Sequence, residues 1–115
     1  MEIRTQNYPR PDIAMVDLIG QFWRREDANL LEARVNTQLP SCVAVVLNTE
    51  RVTFISSVGL GSLAHLYKKC AECEKGFLLY KPVGNVKETL ELSGLPSMIR
   101  IAADAAELEQ ELSQH

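Results

Sequence analysis

Apolar residues in this chain fall into short continuous runs, separated by segments in which they recur every three or four positions. Asp12–Ile19 (DIAMVDLI) is apolar over too short a span for a helix and is closed by Gly20, so it predicts a strand. A candidate edge strand, Glu2–Thr5, precedes it. From Glu26 to Leu39 the rhythm changes: Ala28, Leu31, Val35 and Leu39 make one helical stripe, which Pro40 ends. Cys42–Leu47 (CVAVVL) is apolar on both faces, as expected of a central strand covered on two sides. After a break at Asn48–Arg51, Val52–Ile55 reads as a short extended piece. Leu60, Leu63, Ala64, Tyr67, Cys70 and Ala71 then predict a helix that begins near Val58 and is closed by Gly76. Phe77–Tyr80 is a further strand, and Pro82 and Gly84 mark a turn into a helix carried by Val86 and Leu90 and stopped by Gly94 and Pro96. Met98–Ile101 reads as the last strand. Asp104 with Glu107 three residues on is a capping box opening a final helix, whose stripe is Ala105, Leu108 and Leu112.

Strand–helix alternation of this kind requires a largely parallel sheet, because parallel neighbours need a crossover and a helix is the usual one. The 115 residues fit one domain, spanning 1–115, without internal repeat or linker. Lys and Arg total 12 and Asp and Glu 15, giving a net charge of −3 with no basic cluster, which argues against nucleic-acid binding. No segment reads as a signal peptide or a spanning helix, so membrane insertion is not expected and the expected location is the cytoplasm. Three cysteines, an odd number within apparent core elements, are expected to be reduced.

The candidate chemistry lies in FISSVGLGSLAHLYKKC, from Phe54 to Cys70. Ser56 or Ser57 caps the helix that follows, accepting from an otherwise open backbone amide. A nucleophilic serine on a strand-to-helix elbow would want glycines two residues to either side, but Ser57 has Ile55 before it and Gly59 after. It would also want a base, and the only histidines are His65, about two turns along the same helix, and the last residue, His115. A third role, compatible with a cap, is phosphorylation of Ser57, which would place close to two negative charges inside a docking surface. Cys70 and Cys73 form a CxxC, but one such pair supplies only two of the four ligands of a zinc site, and no metal or cofactor is expected. Gly59-Leu60-Gly61 lacks the third glycine of a dinucleotide loop, since Ala64 stands there, and no phosphate-loop lysine follows. Trp23 suits a hydrophobic contact with another protein; covering the sheet edge or the core is the alternative.

The segment VVLNTERVTFISSVGLGSL, Val45–Leu63, resembles the signature of STAS domains, and in particular of bacterial anti-sigma factor antagonists. That signature has a buried strand ending in Asp or Asn and then a loop of the form D-S-[ST or A]-G-[LV]-G opening a helix. The resemblance continues through Lys81-Pro82-Val83 and Glu91-Leu92-Ser93-Gly94-Leu95 and covers most of the chain from Asp12 to Leu112. It implies a small α/β domain with a mixed or mostly parallel sheet of about four to five strands and helices mainly on one face. It also implies a non-enzymatic regulator that captures an anti-sigma factor acting as a serine kinase, and that is switched off when the kinase phosphorylates the serine matched by Ser57. Ser56 stands where the family usually has aspartate, and Val58 where it has a second hydroxyl or a small residue. The partner surface implied is Ser56, Ser57, Val58, Gly59, Leu60 and Gly61, with Trp23 beside it, on a monomer or weak homodimer. The alternatives are a constitutive scaffold, such as a stressosome-type unit or a transporter-accessory subunit, and, from a different class, a serine hydrolase.

Overall fold

The run of valines around Val45 and Val46 lies at the middle of a five-stranded sheet in the computed structural model, which describes residues 1–115. The strands are β1 (Glu2–Gln6), β2 (Ile13–Phe22), β3 (Ala44–Ile55), β4 (Gly76–Tyr80) and β5 (Arg100–Ala102), ordered across the sheet as along the chain. β1 is antiparallel to β2, and every other pair is parallel. The parallel crossovers are α1 (Arg25–Gln38), α2 (Ser57–Glu72) and α3 (Gly84–Ser93), and α4 (Ala105–Leu112) follows β5.

The period of two along each strand sorts the core into two layers. Ala14, Val16, Leu18, Val45, Leu47, Phe77 and Leu79 face α1, α2 and α3, which contribute Leu31, Val35, Leu63, Leu66, Val86 and Leu90. Met15, Val46 and Leu78 alternate to the opposite face, where Leu108 and Leu112 of α4 cover them. Three helices on one face and one on the other agree with helices mainly on one side. Val45, Val46 and Leu47 are wholly buried, so the central strand is covered on both faces as its composition requires.

Three boundaries differ from the sequence reading. β2 does not close at Gly20 but runs through it to Phe22, because glycine takes φ +102° there beside a shift of register. β3 is not broken at Asn48–Arg51. Asp17 pairs with Asn48 and Ile19 with Arg51, then Gly20 with Val52 and Gln21 with Phe54, so β3 accommodates two extra residues as bulges. The first bulge sits at Thr49, which is buried with its Oγ1 donating to the Tyr80 carbonyl at 2.9 Å. The last strand is not Met98–Ile101: Leu95–Ser97 form a 3-10 turn behind Gly94, and pairing with β4 begins only at Arg100. The capping box of α4 forms with one change. Asp104 accepts from the Glu107 amide at 2.9 Å, while the Glu107 carboxylate takes the amide of Ala103, one residue ahead of the cap.

Candidate functional site

Parallel strands carry their loops to one end of the sheet, so the β2–α1 and β3–α2 connections meet. The hydroxyl of Ser56 ties them together: it donates to the Trp23 carbonyl at 2.9 Å and accepts from the Gly59 amide at 3.4 Å. The Ser56 amide also donates to the Phe22 carbonyl at 3.0 Å. Ser56 is therefore the N-cap, with extended backbone at φ −95° and ψ 177°. Serine and aspartate are both strong caps, so serine at this position keeps the start of α2 intact. With Ser56 engaged on both sides, the hydroxyl of Ser57, the first residue of α2, is exposed and makes no hydrogen bond within the protein.

The other residues expected at a partner surface divide by burial. Gly59 is buried: a Cβ built on it would lie 2.7 Å from Ile55 Cγ1 and 2.7 Å from the Phe22 carbonyl oxygen. This glycine lets α2 press against the end of β2. Val58 and Leu60 are half-buried against the core, while Gly61 is exposed, with no atom within 4 Å of where a Cβ would stand. Trp23 is 47% exposed, and the Arg24 guanidinium lies 5.7 Å from its ring centroid. About half of its surface is therefore open to solvent. Sequence reasoning missed Phe54, which is 46% exposed two residues before Ser56. The second bulge of β3 removes it from the buried alternation that its apolar run suggests.

Asp27, in the first turn of α1, was also missed. It is 1% exposed; Oδ2 accepts from the amides of Trp23 at 3.2 Å and Arg24 at 3.0 Å, and Oδ1 from the Met1 ammonium at 3.1 Å. Burial alone pushes its pKa up, but the Arg24 and Trp23 amides and the ammonium outweigh burial and hold it below the ordinary value. A carboxyl whose folded pKa lies below its unfolded one stabilises the protein above the unfolded value, and that contribution is lost as the pH falls through the folded one. Asp27→Asn should therefore cost about 2 kcal/mol at neutral pH. The deficit against wild type should shrink on acidification below about pH 4. Urea titrations on either side of that pH check both statements, and a deficit that does not change with pH would refute the assignment.

α1 and α2 flank a groove of about 530 Å³ into which Ser57, Gly61 and His65 of α2 face Arg25 and Glu32 of α1. His65 Nε2 lies 3.4 Å from Glu32 Oε1, and Lys69 Nζ lies 3.9 Å from the same oxygen. Ser57, His65 and Glu32 have the residue types of a hydrolytic triad but not its geometry. Eight residues of helix separate Ser57 from His65 by about 12 Å of rise, far beyond hydrogen-bond reach. The two thiols of the CxxC also differ in environment: Cys70 is buried, and desolvation pushes its pKa up to about 11, whereas Cys73 is exposed. No helix is long and apolar enough to cross a membrane.

Comparison with known proteins agrees with this architecture. No curated protein sequence matches the chain significantly. Among solved structures, it is similar to an anti-sigma factor antagonist from Mycobacterium paratuberculosis, with 25% identity and a TM-score of 0.78 over 95% of this chain and 93% of that one. The Bacillus cell fate determinant SpoIIAA in its phosphorylated form gives 15% identity and a TM-score of 0.69 over 95% and 98%. A sulfate transporter family protein from Wolinella succinogenes gives 15% identity and a TM-score of 0.75 over 88% and 84%. The STAS domain model matches residues 7–108, and the chain belongs to the STAS domain family.

Proposed function

We propose that this protein is an anti-sigma factor antagonist: a non-enzymatic binding protein that captures an anti-sigma kinase and is released when that kinase phosphorylates Ser57. The observation that carries the reading is the division of labour between the two serines. Ser56 holds the helix start with its hydroxyl, while the Ser57 hydroxyl is exposed and free of internal bonds. A kinase can thus transfer the terminal phosphoryl group of its ATP to Ser57 Oγ, with loss of the hydroxyl proton and release of ADP, without dismantling the cap. Trp23 and Phe54, in the segments that lead into α1 and α2, supply exposed aromatic surface of the kind that anchors protein contacts. The likeness to a phosphorylated SpoIIAA supports the same reading.

The test is a pull-down from host lysate with immobilised wild type and Ser57→Asp side by side, with captured proteins identified by mass spectrometry. An ATP-binding anti-sigma factor held by wild type and lost by the variant is expected. Retention of the same scaffold or transporter proteins by both forms would instead make this a constitutive docking module.

A further inference from the structure

We infer that Arg25 is the internal counterion of the phosphorylated protein, pairing with phosphate on Ser57 across the α1–α2 groove and joining the first turns of the two helices. This deepens the proposed switch and rests on Ser57 as the modified residue.

Arg25 and Ser57 line the same groove, and each is the first residue of its helix. The Ser56 hydroxyl bonded to the Trp23 carbonyl fixes the two helix starts relative to one another. Ser57, Gly61 and His65 follow at intervals of four on one face of α2, and the bare Gly61 leaves no side chain between the other two, so the groove has room for a phosphate.

The remaining charges nearby are already committed. Glu32 is met by His65 at 3.4 Å and Lys69 at 3.9 Å. Arg24 lies 3.5 Å from Glu26 and 3.8 Å from Asp27, with its guanidinium near the Trp23 ring. Arg25, the one arginine lining the groove, makes no ion pair. A guanidinium presents paired donors that match phosphate oxygens, so a dianion on Ser57 has one uncommitted partner within the protein. In the unmodified protein the same side chain is left free for the docking partner. Phosphorylation thus removes a cation from the contact surface as well as adding an anion to it.

The test uses protein with phosphoserine installed at position 57 during translation, and follows the second ionisation of the phosphate by 31P NMR. A free phosphoserine ionises near pH 6. Arg25 should lower that value in the otherwise wild-type protein, and Arg25→Gln should raise it by about half a unit. Arg25→Lys should keep most of the lowering, and Arg51→Gln, the same charge change at an exposed residue elsewhere, should leave it intact. His65 and Glu32 line the same groove, so the Arg25→Gln comparison is repeated in a His65→Gln background, where the same rise is expected. An Arg25→Gln titration that superimposes on the parent, or an Arg51→Gln shift as large as that of Arg25→Gln, would overturn the pairing. Because the phosphate is installed without a kinase, failure of the host kinase to modify Ser57 would sink the switch but leave this comparison standing.

Discussion

Gly59→Ala should lower the melting temperature by about 10 °C, corresponding to about 2 kcal/mol of overpacking in a domain of this size. One methyl group has that effect because of what it meets. Its carbon would lie 2.7 Å from Ile55 Cγ1, 2.7 Å from the Phe22 carbonyl oxygen and 3.2 Å from Phe22 Cγ. A flexible side-chain end could yield, but the Phe22 carbonyl accepts from the Ser56 amide at 3.0 Å and so belongs to the joint between the two loops. Relief of the clash must move α2 away from β2 and stretch the bonds that position Ser57. Gly61, two residues on, gives the opposite expectation. No atom lies within 4 Å of its would-be Cβ, and glycine inside a helix is less favourable than alanine by about 0.5–1 kcal/mol, so Gly61→Ala should raise the melting temperature slightly. Thermal melts of the two variants separate a glycine needed for close approach from one that leaves a groove open. Equal responses would refute this assignment of roles.

Phosphate at Ser57 should weaken binding of the anti-sigma kinase by at least about 100-fold, or about 2.7 kcal/mol. The modification brings close to two negative charges to the exposed start of α2, at the centre of the proposed contact surface. Docking there would bury an anion, and a charge placed in a contact surface without a matching partner group is strongly unfavourable. Pairing with Arg25 reduces the field of that charge without removing the phosphate's bulk or its need for solvent. Titration calorimetry with unmodified and phosphorylated protein measures the ratio. Affinities within about threefold of each other, or less than ~0.7 kcal/mol, would show that phosphate does not govern release.

How much of this was legible in the sequence depended on the range of the interactions concerned. Helix stripes such as Ala28, Leu31 and Val35, and the all-apolar β3 core, follow from periodicity, and their packing agrees with it. The Asp104 cap was equally local. The bulges of β3 were not, because an extra residue shows itself only against its partner strand, so the exposure of Phe54 could not be read from VTFI alone. Ser56 and Ser57 flank one helix boundary and are chemically alike, so the stretch itself does not say which one caps. The Trp23 carbonyl, 33 residues away in sequence, decides it. Asp27 could have been suspected as an acidic residue in a first helical turn, but its near-complete burial depends on the amides of Trp23 and Arg24 and on the Met1 ammonium converging on it. Gly59 and Gly61 look equivalent in GLG and separate only once the end of β2 is in place.

The most direct measurement of the switch is phosphosite mapping after incubation of the protein with the captured kinase and ATP, comparing wild type with Ser57→Ala by peptide mass spectrometry. A single phosphate on Ser57, absent from the alanine variant, is the predicted result. Phosphate on Ser56, Ser62 or another residue, with Ser57→Ala labelled as readily as wild type, would contradict it.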